Sequence, residues 1–318
     1  MRVVIVGAGL AGLTAARQLS DAGHHVVLFD KGRSPGGRLA TRRIGSSRFD
    51  HGAQFFTIRS DEFAAVVQPH LTSGLVFEWC RGFSPEGDGY PRYAVRAGMN
   101  AWAKALAVGL DVRCNTLVFA IRPGAANSGA AWDVALDDGT SVLADALVVT
   151  CPLAQSYSLI VSAEVALPEE LVRTEYDRTV ALLAVLDRAP AVAEPGGLNN
   201  PTDTLSFVAD NQRKGISDSP ALTVHAAAGW SEQHWNQSSD ELIAELIAAA
   251  ADYIGSANVV EAQLKKWRFA TPRVIWPEPC WVAAESAGPL VLAGDAFAGP
   301  RVEGAVLSGL AAARALMQ

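Results

Sequence analysis

Val3 to Val6 form a short, β-branched apolar run that leads directly into glycines. An apolar run with no polar face is what a buried parallel strand requires. Leu13, Ala16 and Leu19 then recur at helical spacing, and a second apolar run, His25 to Phe29, ends on Asp30. The first thirty residues therefore predict strand, helix, strand. Further on, VRCNTLVFAIRP (112–123), AWDVALDDGT (131–140) and ALVVTCP (146–152) read as strands, with DDGT as a turn. Between 153 and 283 strands are predicted at Val180–Asp187, Leu205–Ala209, Leu222–Ala227 and Leu264–Ala270. One clear helix interrupts them. Ser238 and Glu241 form its capping box, and Leu242, Ile243, Leu246 and Ile247 form its apolar face.

The chain closes on a further buried strand, Leu290 to Ala293, followed by Gly294-Asp295 and a Gly299-Pro300 break. A helix is predicted to begin near Val302 to Gly304. Glycine costs about 1 kcal/mol per helix position, so a helix carrying Gly304 and Gly309 among Ala305, Ser308 and Ala312 must be approached closely by something. The overall pattern is α/β. It predicts a Rossmann-type dinucleotide-binding domain made of residues 1–57, 95–152 and 284–318, into which a mixed-sheet domain (58–94 and 153–283) is inserted.

Composition narrows the function. The 318 residues carry a net charge of −7, which argues against nucleic acid or an anionic membrane as partner. No apolar run approaches the roughly 20 residues of a membrane span, and the N-terminal run passes into glycines unlike a signal peptide. Cys80, Cys114, Cys151 and Cys280 are widely spaced, without CxxC or metal-ligand pairing with histidine. Reduced thiols, no metal and a cytoplasmic location are the expectations.

The chemistry begins at Gly7-Ala8-Gly9-Leu10-Ala11-Gly12, a GxGxxG placed between strand and helix. Gly7 makes the tight turn, Gly9 admits a pyrophosphate and Gly12 lets helix and strand pack closely. The helix start at Leu10 and Ala11 offers N–H groups and a dipole to the phosphates. Asp30, 18 residues after Gly12 and next to Lys31, is placed to accept from ribose hydroxyls. Then comes a basic stretch, KGRSPGGRLATRRIGSSRF. Within it Gly36-Gly37-Arg38 points to FAD over NAD, because an arginine fork pairs with a pyrophosphate oxygen. Arg42, Arg43 and Arg48 are expected to be solvated. Gly52-Ala53-Gln54-Phe55-Phe56 reads as a strand entering a cofactor site, with Gln54 at the edge of a flavin ring.

Together these segments resemble the renalase family: GAGLAG, Asp30, GGR at 36–38, GAQFF at 52–56 and GD followed by RVEGAVLSG. SFVADNQRKG (206–215), LTVHAAAGWSEQHW (222–235) and KKWRFA (265–270) extend the resemblance over nearly the whole chain. It implies an FAD-dependent oxidase with the fold of the amine-oxidase superfamily. Its substrates would be dihydronicotinamide dinucleotides reduced at the 2- or 6-position. Their hydride would go to the flavin, NAD(P)+ would be released, and O2 would be reduced to hydrogen peroxide. By the same resemblance Val118 lies in the region that passes the adenine, and Asp295 accepts from ribityl hydroxyls. The helix start at Val302, Glu303, Gly304 and Ala305 would face the flavin edge where negative charge develops on reduction.

Candidate catalytic residues lie on the inserted sheet. Alternation in LKKWRFA puts Lys265, Trp267 and Phe269 on one face and Lys266 and Arg268 on the other. Trp267 can stack on a nicotinamide, and Arg268 or a lysine can meet substrate phosphates. His225 can hold the carboxamide or sit beside the flavin, and Gln54 completes the set. Trp230, His234 and Trp235, expected in a loop, are weaker candidates. Hydride transfer from a dihydropyridine needs no general base, and no triad or carboxylate pair stands out. Nothing around Cys280 matches a covalent flavin site, so the flavin is expected to be non-covalent. The rival readings are an amine oxidase on the same fold, an NAD-dependent dehydrogenase, and a non-catalytic flavin-binding module. Oligomeric state is left open, with a monomer as the starting assumption.

Overall fold

The computed structural model describes residues 1–84, 87–297 and 299–318. The chain divides into two compact units. The first is made of residues 1–37, 103–175 and 272–318, and the second of residues 38–102 and 176–271.

Among the described residues the first unit holds a six-stranded sheet. Its order is Trp281–Val282, Leu290–Leu292, Ala146–Val149, Arg2–Val6, His25–Phe29 and Asp111–Arg113. All pairings are parallel except the outermost, Trp281–Val282 against Leu290–Leu292. Val3, Val4, Ile5, Leu147, Val148, Leu290, Val291 and Leu292 are essentially inaccessible, as expected of central strands covered on both faces. The helix Leu10–Asp21 packs against the closing helix Val302–Met317. A Cβ on Gly309 would lie 2.3 Å from the Ala11 carbonyl oxygen, so the two helices meet backbone to backbone. A three-stranded antiparallel sheet, Ser141–Ala144, Trp132–Leu136 and Val118–Pro123, completes this unit.

The predicted 112–123 strand is split. Asn115 adopts φ 53°, a left-handed conformation, and separates Asp111–Arg113 from Val118–Pro123.

The second unit is built on a five-stranded sheet ordered Gly197–Asn199, Leu205–Asp210, Ala221–Ala226, Tyr176–Leu186 and Val259–Pro272. Its core includes Val180, Leu182, Val208, Leu222 and Val224, closed by Leu242 and Leu246 of the helix Ser239–Ala249. The Ser238–Glu241 capping box is present in full. The Ser238 hydroxyl accepts from Glu241 N, and Ser238 N donates to Glu241 Oε2 at 2.9 Å. Ser238→Ala is expected to cost about 1 kcal/mol, read as a fall in Tm of roughly 2–4 °C by calorimetry. The segment expected to be a basic loop forms a hairpin, Thr41–Ile44 with Ser47–Asp50. Arg42 and Arg43 are exposed on it, while Arg48 reaches Asp218 at 3.3 Å. Among the described residues no helix is long and apolar enough to cross a membrane.

Candidate active site

In the first unit the glycine loop is an open cradle at the carboxyl end of a parallel strand. Gly7 has φ 104° and donates its N–H to Phe29 O at 2.8 Å, which locks the turn. A Cβ on Gly12 would stand 2.0 Å from Gly7 O, so the helix start is seated directly on the strand. Around Gly9, by contrast, nothing lies within 4 Å of the Cβ position. No side chain caps the helix that begins there, and its first-turn N–H groups have no acceptor within the helix. The loop therefore offers both room and positive potential to a phosphate.

Asp30 stands at the end of the second strand. Its Oδ2 accepts from Ala8 N at 2.7 Å and its Oδ1 from Gly32 N at 2.6 Å, so the carboxylate is fixed with lone pairs to spare. Gly36 N donates to Ala8 O at 2.8 Å, and the Cβ position of Gly37 is 3.5 Å from Gly9 Cα. The double glycine thus folds onto the first loop. Lys31 is exposed and donates to Gln155 Oε1, and Val118 is buried. These residues fit the diphosphate and ribose of a dinucleotide.

The closing motif lies in the same unit. Gly294 N donates to Ser308 Oγ at 2.8 Å, which ties the strand end to the closing helix, and Asp295 beside it is 9% exposed. Gly304 packs on Gly299, whose carbonyl oxygen would be 2.2 Å from an added Cβ. Val302, Glu303, Gly304 and Ala305 form the first turn and remain partly exposed.

The second unit gathers three of the four predicted catalytic residues around one short segment, residues 50–54. The Gln54 amide nitrogen donates to the carbonyl of Asp50 at 2.6 Å and of Gly52 at 3.2 Å, and lies 3.3 Å from His225 Nε2. Trp267 Nε1 donates to the His51 carbonyl at 2.6 Å, and the two rings stack with centroids 5.3 Å apart. The His225 side chain also bonds to the His51 backbone. Arg268 is not part of this group. It is exposed on the opposite face of its strand, while Lys265, Trp267 and Phe269 turn inward as alternation predicts.

Residues 52–56 do not form the predicted strand. Gln54 bonds back to its own segment and Ala53 N donates to Arg38 O at 2.9 Å, which leaves only a single bridge from Phe56 to Tyr93. Arg38 itself donates to the carbonyls of Phe269 and Ala270 at 3.3 and 3.2 Å. Phe55 joins Trp79, Phe83 and Phe207 in an aromatic cluster with centroids 5.0–6.4 Å apart. Trp230 and His234 stack at 4.2 Å, and Ala228–Gln233 is a helix, not the expected loop.

Electrostatics sets the character of this group. Burial, with the charges of Lys265, His225 and Arg42, pushes His51 down to about 3. Burial and the Lys214 charge push His225 down to about 4, against the bond to the His51 backbone. Both imidazoles are neutral at physiological pH. His51 Nδ1 and Gln54 Oε1 are buried without a hydrogen-bond partner among the described residues. A buried polar atom left unmet costs about 1–3 kcal/mol, so this surface suits a ligand with a polar edge.

Sequence reasoning missed the anchor of the segment. Asp50 and Lys214 form a fully buried ion pair at 2.7 Å, 164 residues apart in the chain. The sequence hides it, because Lys214 follows the strand Leu205–Asp210 in the polar run DNQRKG and reads as surface charge.

Comparison with known proteins agrees with this geometry. The family model for flavin-containing amine oxidoreductases matches residues 63–317, and that for the NAD(P)-binding Rossmann-like domain matches residues 5–68. The chain is similar to the structure of putrescine oxidase bound to putrescine, with a TM-score of 0.74, 17% identity and all of both chains covered. It is also similar to a structure from Exiguobacterium sp. 255-15 assigned as a protoporphyrinogen oxidase, with a TM-score of 0.76, 13% identity, and 100% and 99% of the chains covered. At these identities the likeness is one of fold. Hydroxyneurosporene desaturase of Rubrivivax gelatinosus is 45% identical over 76 residues, 22% of this chain and 14% of that protein. The 4-hydroxybenzoate brominase (decarboxylating) of Marinomonas mediterranea is 51% identical over 43 residues, 14% of this chain and 8% of that protein. The matched stretches cover only these small shares of the curated relatives' length. The family match runs through most of the chain, which belongs to the flavin-containing amine oxidoreductase family.

Proposed function

We propose that this oxidoreductase is a renalase-like, FAD-dependent oxidase of dihydronicotinamide dinucleotides reduced at the 2- or 6-position. It releases NAD(P)+ and reduces O2 to hydrogen peroxide. The observation that carries this reading is the neutral, hydrogen-bonding face made by Gln54, His225 and Trp267 beside His51. A dihydropyridine gives up a hydride and no proton, so a face with no base poised near neutrality suits it.

Two facts taken together support FAD. The family contains flavin, and the glycine loop with Asp30 has the form of a dinucleotide site, which FMN would not need. The first unit holds the cofactor through Gly7, Gly9, Gly12 and Asp30, with Asp295 and the first turn of the closing helix toward its flavin end. When bound, the flavin supplies a two-electron acceptor that oxygen can reoxidise. The second unit receives the substrate. Trp267 offers a ring for stacking, and Gln54 and His225 offer hydrogen bonds. Burial pushes the thiols of Cys80, Cys114, Cys151 and Cys280 up, which disfavours a thiolate for attachment and supports a non-covalent flavin.

One observation favours a second reading, an amine oxidase: the cluster of Phe55, Trp79, Phe83 and Phe207. Against a protonated amine stands Arg92, whose guanidinium lies 5.8 and 5.9 Å from the centres of the Phe55 and Phe83 rings. Anaerobic stopped-flow absorbance decides between the two readings. Mixing with 2- and 6-dihydro isomers of NAD(P)H is expected to bleach the flavin within seconds, while a panel of amines leaves it oxidised. Bleaching by an amine alone would overturn the proposal.

A further inference from the structure

We propose that the buried Asp50–Lys214 pair is a positioning device for the face formed by Gln54, His225 and Trp267. It fixes the 50–54 segment from which all three residues hang. That this face receives the substrate rests on the reading above; the positioning role does not.

The pair is not explained by stability. A buried ion pair is often no better than an apolar pair of the same volume, because desolvation offsets the attraction. Both side chains here are fully inaccessible. What distinguishes the pair is its place. Asp50 ends the strand Ser47–Asp50 and is the first residue of the segment. Its Oδ1 accepts from Thr41 Oγ1 at 2.7 Å and Met99 N at 2.8 Å, and its Oδ2 from Lys214 Nζ at 2.7 Å. With its carboxylate held on three sides, its carbonyl is aimed at Gln54 Nε2 and Thr223 Oγ1, at 2.6 and 3.1 Å. The next carbonyl, that of His51, holds Trp267 and is bonded by His225, and the next, that of Gly52, holds Gln54 again. Three successive carbonyls thus orient three side chains, Gln54 of the same segment and His225 and Trp267 from distant parts of the chain. Lys214 is itself pinned over the Trp79 ring, 5.2 Å from its centre.

Lys214 has a second effect, through its charge. The charged and titratable groups facing His225 are Lys214 with its partner Asp50, and His51, which in turn faces Lys265 and Arg42. A cation at Lys214 opposes protonation of His225, so the pair holds the imidazole neutral as well as in place.

The test uses the flavin-loaded protein with selectively labelled histidine, its His225 resonance assigned by loss in His225→Gln. The variants are Asp50→Asn, Lys214→Met and the double Asp50→Asn/Lys214→Met. Each single variant leaves a buried group uncompensated and is expected to lose stability, whereas the double keeps volume and neutrality and is expected to stay folded. In the wild type His225 is expected not to titrate above pH 5. In the double variant its midpoint should rise, and kcat for the dihydronicotinamide should fall at least tenfold with a smaller change in KM. An unshifted His225 titration, or a wild-type kcat in the folded double variant, would overturn the proposal. If no dihydro isomer reduces even the wild type, the substrate reading has failed, and the His225 titration alone still decides the role of the pair.

Discussion

Gly12→Ala is expected to yield protein that retains little flavin and melts roughly 6–12 °C lower, whereas Gly9→Ala folds normally and loses flavin alone. The two glycines lie three residues apart in one loop, so the contrast tests the site and not just the fold. At Gly12 an added Cβ would lie 2.0 Å from Gly7 O, 3.0 Å from Thr150 Oγ1 and 3.1 Å from Gly7 C. Two of these three atoms are backbone, and neither can swing aside as the end of a flexible side chain would. The helix must lift off the strand, an overpacking cost of about 3 kcal/mol, and its N–H groups leave the phosphate position together. At Gly9 nothing lies within 4 Å, and φ is −75°, which alanine adopts without strain. The apoprotein should therefore be as stable as wild type or slightly more so. The methyl group then occupies the space a pyrophosphate needs. Flavin absorbance per chain, and the Tm of apoprotein, separate the two effects. Full flavin occupancy in Gly9→Ala would mean that the pyrophosphate does not pass that residue.

This loop was legible because its determinants are local. Strand, glycines, helix and Asp30 follow within thirty residues, and each does its work on a near neighbour in sequence: Gly12 on Gly7, Asp30 on Ala8 and Gly32. The alternation of Lys265, Trp267 and Phe269 against Lys266 and Arg268 was legible for the same reason, since a strand's two faces are fixed by its period. What failed was local geometry set by side chains returning to the backbone. Residues 52–56 carry strand-like residues, yet Gln54 satisfies the carbonyls of Asp50 and Gly52 and turns the segment away from any ladder. Asn115 broke a predicted strand by a left-handed φ that composition does not announce. The Asp50–Lys214 pair was hidden more deeply. A lysine in ADNQRKG reads as surface charge, and only the folded sheet removes it from water and sets it against an aspartate 164 residues away.

Acidification from pH 7 to pH 5 is expected to destabilise the protein by on the order of 4 kcal/mol through His51 and His225 alone. Both are held below their ordinary value of 6.5, at about 3 and about 4, chiefly by burial. In the unfolded chain both take up a proton as pH falls through about 6.5. In the folded protein they do not until pH 3 to 4. Between those limits the unfolded state binds more protons, so stability falls as pH falls. Each histidine contributes about 2 kcal/mol over the two units. His70, lowered by burial, adds in the same direction. The carboxylates do not mask this window. Asp88, Asp145, Asp187 and Glu241 are held low by hydrogen bonds and ion pairs, so their stabilisation is lost only near and below the ordinary carboxylate range. Asp210, raised by burial against its backbone hydrogen bonds and the Arg213 charge, works the other way. Calorimetry should show a Tm roughly 8–16 °C lower at pH 5 than at pH 7, and His51→Asn/His225→Asn should abolish most of that difference. An equal fall in the double variant would place the acid sensitivity elsewhere. A reduced fall would show that the neutral face is maintained against the histidines' own tendency to charge, at a cost in acid stability that the rest of the fold must carry.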